Sequence, residues 1–431
     1  MARSLTNVML KSMRRLVNQQ QKQASKAVTK AVRSVFGAPP KPPRIRKVAV
    51  PKKAVPRKTS LAFAPLLTAA QAARAAPARP TARRTPAAKP RPIVKPGAAD
   101  AFAHTPLYTR PERGSWTRGV FEPQEDAVGS HGGMHYWLYW PINAPDTPRP
   151  LVVMLHGCGQ TATEFAQGTR MNELAQRKGF AVLYPQQSVM SDPNRCWPWY
   201  TQENQRGGGD AGTIRDLILQ TLRDHRVDRR RVYLAGLSAG AAMAQIIALS
   251  DPDLVAAVGL HSAPVFGTAD SAASAFGVMQ HGDATGFERA LRPVTRTAAG
   301  PIEIPAILIH GDADKVVRPV NLMQVARQFA LLNGLKGESA HPLLRDYPAR
   351  VRGVNPRHEY RTLSYLVDGK PRLVACQVTG LEHAWSGGVG GLRFNSAAGP
   401  DASLMIWNFF ARHRSNGARP DARAALQEAP A

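Results

Sequence analysis

The chain has 431 residues, a formal net charge of +27, 36 prolines, 35 glycines and three cysteines. That length accommodates one large domain with extensions, and three cysteines exclude a disulfide-built scaffold. No stretch reaches the ~18 apolar residues of a membrane-spanning helix.

The charge is unevenly placed. Residues 1–100 hold 23 Lys or Arg against one acid, Asp100, so 22 of the 27 net charges lie there. Within 1–38, Leu5, Met9, Met13, Leu16, Val28, Val32 and Val35 recur at helical spacing, with Lys11, Arg15, Lys22, Lys26 and Arg33 on the other side. That pattern predicts a basic amphipathic helix, suited to an anionic membrane, a lipid-coated granule surface or a polyanion; a merely solvated basic arm is the competing reading. It would also bind nucleic acid nonspecifically, but no base-reading motif accompanies it, so no specific nucleic acid is expected. Residues 39–112 are rich in Pro, Ala, Lys and Arg and read as an extended linker. The first thirty residues lack the apolar core of a secretory signal, and the faintly similar run Leu61–Ala73 lies too deep to be one. A cytoplasmic or granule-associated location is the expectation from that feature alone.

From residue 113 to 414, strand and helix signals alternate, predicting an α/β domain with a mainly parallel sheet covered on both faces. His135–Tyr139 begins the sheet. Leu151–Leu155 is an apolar strand that ends in the glycine-punctuated turn His156-Gly157-Cys158-Gly159-Gln160, able to aim backbone N–H groups at developing negative charge. A helix over about 163–178, the strand Ala181–Tyr184, the aromatic loop Asn194–Tyr200 and a helix over 211–223 follow.

The strongest local signal comes next. Val232–Ala235 runs into Gly236-Leu237-Ser238-Ala239-Gly240 and then a helix-forming stretch. Strand, glycine-flanked turn and helix make a nucleophile elbow, in which a strained turn exposes a serine hydroxyl above the sheet. Such a serine needs an imidazole to take its proton and a carboxylate to hold that imidazole in the right tautomer.

Beyond the elbow, Ala256–His261 reads as a strand, and the weakly periodic segment 266–300 as a partial lid. Ile304–Ile309 is a buried strand leading to Asp312 and Asp314, at the carboxyl end where open α/β sheets gather catalytic groups. Turn geometry favours Asp314 as the orienting acid and Asp312 as the turn former. After a helix over 320–332 and a hairpin of 361–367 with 373–378, the glycine-bounded loop Gly380–Gly388 supplies His383, giving the chain order Ser, Asp, His. The helix-like run Leu404–Phe410 closes the domain, and 415–431 reads as a disordered tail. The N–H groups of Ala239 and Cys158 would form an oxyanion hole, each donor worth about 2.7–4 kcal/mol of barrier. Trp197, Trp385, His156 and His261 are candidates for the substrate-pocket wall, although His156 also suits a loop-shaping role and His261 a turn. No His/Cys/Asp cluster calls for a metal, and no cofactor is expected. Cys158 and Cys196 could pair on an exported chain, or serve as small buried fillers.

The words Leu155–Cys158, Asn194–Tyr200, Gly236–Gly240, His310–Val317 and His383–Gly388 resemble the α/β-hydrolase esterases related to short-chain polyhydroxyalkanoate (PHB) depolymerases, with feruloyl and acetylxylan esterases as neighbours. The resemblance implies a carboxylic ester hydrolase with Ser238 as nucleophile, His383 as base and Asp314 as orienting acid, an ester of hydroxyalkanoate type as substrate, and an extracellular setting. The chain stops soon after Phe410, without the separate polymer-binding domain usual among secreted depolymerases, so crystalline polymer is not the expected substrate. The rival expectation from another class is a surface-binding protein that acts through its basic arm.

Overall fold

The computed structural model describes residues 114–415 apart from 124–132, 143–146, 284–285, 298–301, 336–341 and 352–355. The predicted basic helix, the linker and all but the first residue of the tail lie outside the described residues.

Ten strands form one sheet: β1 (Gly114–Phe121), β2 (Met134–Pro141), β3 (Arg149–Leu155), β4 (Ala181–Pro185), β5 (Val227–Leu237), β6 (Ala257–His261), β7 (Ala306–Gly311), β8 (Leu343–Tyr347), β9 (Tyr360–Val367) and β10 (Lys370–Val378). Their order is β1-β2-β4-β3-β5-β6-β7-β10-β9-β8. The six central strands, β4 to β10 in that order, are mutually parallel. Two antiparallel strands flank each side. The helices are α1 (Ala162–Thr169), α2 (Met171–Lys178), α3 (Gln202–Gln205), α4 (Gly209–Asp224), α5 (Ala239–Ser250), α6 (Ala272–His281), α7 (Arg292–Thr297), α8 (Val320–Leu332) and α9 (Ala402–Phe410).

Period-two alternation along the buried strands feeds two cores, one on each face of the sheet. Leu151, Val153 and Leu155 of β3, with Val232 and Leu234 of β5, pack with Ile214 and Leu217 of α4, Ile246 of α5 and Phe329 of α8. Their neighbours Val152, Met154, Tyr233 and Ala235 pack on the opposite side with Phe165 of α1, Leu174 of α2, and Ile406 and Phe410 of α9. Tyr233 stacks on Phe410 at 4.7 Å, and its hydroxyl donates to the His413 carbonyl at 2.7 Å. Strands buried on both faces read as near-continuous apolar runs, and Tyr233, which carries a polar group here, places its hydroxyl on a carbonyl. The arrangement is that of an α/β-hydrolase.

Three sequence expectations change. The helix predicted over 163–178 is two helices, because Arg170 adopts a left-handed conformation (φ 53°) and donates to the Gly387 carbonyl. The sheet begins at β1, not at His135, and β8 adds a further strand. Both are edge strands with largely exposed side chains, so neither bears the apolar pattern of a buried strand. Finally, the segment read as a partial lid sends Phe266, Ala275, Val278, Phe287 and Leu291 into the main core. Among the described residues no helix is long and apolar enough to cross a membrane.

Candidate active site

Strand order reverses between β3 and β5, and in open α/β sheets the crevice at such a point, outside the carboxyl ends, is where ligands bind. The turn after β3 and the elbow after β5 meet there. Ser238 holds φ 57° and ψ −121°, a region costly for a residue with a side chain and found where surrounding structure over-determines it. What over-determines it is close packing. A Cβ on Gly236 would collide with the backbone of Gly240 and lie 2.7 Å from Ala241 N, while a Cβ on Gly240 would run into the carbonyls of Leu155 and His156. The two glycines let the strand turn directly into α5 and let α5 sit against the end of β3. The backbone N–H of Ser238 is tied to the His261 carbonyl at 2.9 Å.

Asp314 follows β7 and is buried. Its Oδ1 accepts from the N–H groups of Val316 and Val317, both at 2.9 Å. Its Oδ2 accepts from His383 Nδ1 at 2.7 Å. Burial works against the charged form most strongly, but the hydrogen bonds and charge of these neighbours hold the carboxyl below its ordinary value. An ionised carboxylate can only accept, so Nδ1 of His383 carries the proton and Nε2 keeps its lone pair. That tautomer can receive a proton from a hydroxyl. The structure forms no hydrogen bond between the Ser238 hydroxyl and His383; catalytic hydrogen bonds commonly tighten only when substrate binds.

Asp312 turns the chain. Its Oδ1 accepts from Gly380 N at 2.7 Å, and its own N–H donates to the Val378 carbonyl at 3.0 Å, fastening the base of the histidine loop to the end of β7. Gly311 is required at that junction because a Cβ there would strike the Leu381 carbonyl.

The turn after β3 is braced by the aromatic loop. Cys158 and Cys196 form a disulfide, Gly159 N donates to the Asn194 carbonyl at 2.6 Å, and Trp197 Nε1 donates to the His156 carbonyl at 2.9 Å. Neither Cys158 N nor Ala239 N donates to a backbone carbonyl among the described residues. Ala239 opens α5, whose first N–H groups have no partner within the helix. Both N–H groups are therefore left without a backbone acceptor, and the positive end of the α5 dipole lies at Ala239.

The four residues expected to line the pocket are corrected. His156 and His261 are wholly buried, as is Trp197, and Trp385 is 1% exposed, so none offers surface to a substrate. They form the support beneath the site. His156 Nδ1 donates to the Gly157 carbonyl at 2.9 Å and its Nε2 accepts from Gln187 N at 3.1 Å, so it shapes the turn. His261 Nε2 accepts from Ser386 N at 3.2 Å, its Nδ1 faces Ser262 Oγ at 3.2 Å, and its ring stacks on Trp385 at 5.2 Å. Trp385 Nε1 donates to Ser403 Oγ at 3.1 Å. His310, also buried, donates through Nε2 to the Val317 carbonyl at 2.7 Å and lies 3.6 Å from Asp314 Oδ2. Its own burial keeps it neutral, so that contact is not an ion pair.

Two residues missed in the sequence lie at the site. The ring of Phe394 stands edge to face with His383 at 6.3 Å, and the Arg393 guanidinium lies over Phe394 at 5.0 Å. Both come from a loop whose sequence, Gly391-Leu392-Arg393-Phe394, contains no recognisable motif. Only long-range pairing, such as Trp385 N to the Phe394 carbonyl at 2.8 Å, brings it here. Among the described residues no group of three His, Cys, Asp or Glu side chains is placed to hold a metal ion.

Burial of the support histidines has a measurable consequence. It pushes His156 from 6.5 down to about 4 and His261 from 6.5 down to about 3. The native state therefore keeps both neutral where the unfolded chain takes up protons. Stability is full above pH 6.5 and declines as pH falls from there toward 4. The melting temperature is expected to drop by roughly 5–10 °C between pH 7 and pH 4.5, a scale set by a few kcal/mol in a domain of this size; a flat profile measured by calorimetry would contradict the neutral, buried assignment.

The region 134–341 matches the family model described as esterase PHB depolymerase, a span that includes Ser238 and Asp314 and ends before His383. Poly(3-hydroxyalkanoate) depolymerase C of Paucimonas lemoignei is 31% identical over 257 residues, 58% of this chain and 58% of that protein. The chain thus spans a little over half the length of that relative. Probable acetylxylan esterase A of Aspergillus clavatus is 25% identical over 258 residues, 57% of this chain and 78% of that protein. Among solved structures, the acetyl xylan esterase from Aspergillus awamori superposes with a TM-score of 0.52 at 21% identity, covering 69% of this chain and 99% of that chain. That likeness is one of fold.

Proposed function

We propose that the chain is a serine hydrolase of carboxylic esters, acting on short-chain hydroxyalkanoate esters or oligomers, a reading supported by the match of region 134–341 to the family model described as esterase PHB depolymerase and by the likeness to the Paucimonas lemoignei depolymerase. The observation that carries this reading is the 2.7 Å bond between His383 Nδ1 and Asp314 Oδ2. It sits at the strand ends where the elbow presents Ser238.

In this mechanism Ser238 Oγ attacks the ester carbonyl carbon while its proton passes to His383 Nε2. Asp314 stabilises the imidazolium and keeps the ring oriented. The carbonyl oxygen becomes an oxyanion facing the N–H groups of Ala239 and Cys158. Collapse breaks the ester C–O bond, and His383 returns the proton to the departing alcohol. Water then repeats the cycle on the acyl-enzyme and releases the acid.

An active-site-directed organophosphonate tests the assignment. One equivalent is expected to abolish hydrolysis of 4-nitrophenyl butyrate and to leave its mass on the peptide containing Ser238. Labelling elsewhere, or full activity after stoichiometric labelling, would overturn it. A second reading is favoured by the breadth of the match to acetylxylan esterases, which extends over 78% of the Aspergillus clavatus protein. Faster turnover of acetylated xylan than of hydroxybutyrate oligomers would select it.

A further inference from the structure

Arg393 holds a place that the hydrolytic cycle leaves unused. Its guanidinium lies over the ring of Phe394 at 5.0 Å, and that ring is edge-on to the His383 imidazole. Arg393 Nη2 also lies 3.7 Å from the point where a Cβ on Gly159 would stand, and Phe394 Cε2 lies 3.9 Å from it. Gly159 adjoins Cys158, so this one cation lies between the ring that faces His383 and the turn after β3 that carries Cys158. The side chain is exposed, and no carboxylate lies within ion-pair distance of it among the described residues. Its backbone is held: Asn395 Nδ2 donates to the Arg393 carbonyl at 2.8 Å, and the Phe394 carbonyl accepts from Trp385 N at 2.8 Å.

A guanidinium presents a planar fork of N–H donors that matches a carboxylate. Resting on an aromatic face, it is partly ordered before any ligand arrives. From this juxtaposition we infer that Arg393 is a specificity residue that binds a free carboxylate on the substrate, and so directs the enzyme toward short hydroxyacid oligomers ending in an acid. Interior esters of a long neutral polyester have no such group nearby. The inference rests on the ester-hydrolase reading and narrows its substrate class.

The test compares a linear trimer of 3-hydroxybutyrate bearing its free terminal carboxylate with the same trimer capped as the primary amide, with 4-nitrophenyl butyrate as a neutral reference. Wild-type enzyme is expected to favour the acid. Arg393→Gln should lower kcat/KM for the acid about fivefold more than for the amide or the reference, the upper scale of a solvent-exposed ion pair. Arg393→Lys should recover part of the loss, and added salt should weaken the wild-type preference. Equal effects of Arg393→Gln on acid and amide, or no effect on either, would overturn the inference while turnover of the reference ester keeps the hydrolase reading intact. Failure of wild-type enzyme on all three substrates would overturn both.

Discussion

Ser238→Ala is expected to lower kcat on 4-nitrophenyl butyrate by about 10⁶-fold, and Asp314→Asn by about 10⁴-fold, the scale seen when members of a serine triad are removed. The second substitution is the more informative because the hydrogen-bond pattern predicts how it fails. Asp314 satisfies two backbone donors through Oδ1 and one imidazole donor through Oδ2. An asparagine can keep its carbonyl oxygen toward Val316 and Val317, which leaves its NH₂ facing His383. The imidazole must then accept at Nδ1 and carry its proton on Nε2, where it can no longer take one from Ser238. Folding should survive because the buried backbone donors stay paired, so the melting temperature reports the integrity of the variant while kcat collapses. The double variant should be scarcely worse than Ser238→Ala alone, since the residues act as a unit. Asp314→Asn retaining more than about a tenth of wild-type kcat would remove the carboxylate from the mechanism as assigned here.

The residues that sequence made legible share one property: their signal is local. The elbow shows in five residues because steric demand writes itself directly into Gly236 and Gly240. Turn geometry favours Asp312 as the turn former, and Asp312, the residue directly after β7, accepts from Gly380 N, while Asp314, two residues on, accepts from His383 Nδ1. The parallel strands were legible because burial on two faces forces an apolar run. What sequence hid depends on distance along the chain. Phe394 is brought against His383, with Arg393 over its ring, by pairing between short strands, Trp385–Ser386 and Asn395–Ser396, that no periodicity announces. The buried support of His156, Trp197, His261 and Trp385 was read as a pocket wall because adjacency to a catalytic word does not distinguish the face toward substrate from the face toward the core. Edge strands β1 and β8 carry mixed exposed residues, so their pairing is dictated by neighbours rather than by their own composition.

Gly240→Ala is expected to lower the melting temperature by roughly 10 °C or more and to cut turnover about a hundredfold, although the change adds one methyl group. The added Cβ would meet the carbonyl oxygens of Leu155 and His156. Both are backbone atoms, so no side chain can rotate aside to relieve the contact. Either α5 withdraws from the end of β3 or the turn after β3 moves, and each displacement shifts an oxyanion donor relative to Ser238. Overpacking a close junction typically costs about 1–3 kcal/mol and more where the backbone must yield. Gly277→Ala provides the opposite case in the same molecule. It lies inside α6 with nothing within 4 Å of the added methyl, so it should stabilise the fold by about 0.5–1 kcal/mol through helix propensity and leave kcat unchanged. Thermal melts and ester turnover for the pair separate the two roles of glycine. A Gly240→Ala protein with wild-type melting temperature and kcat would show that the approach of α5 to β3 does not set the geometry of the elbow.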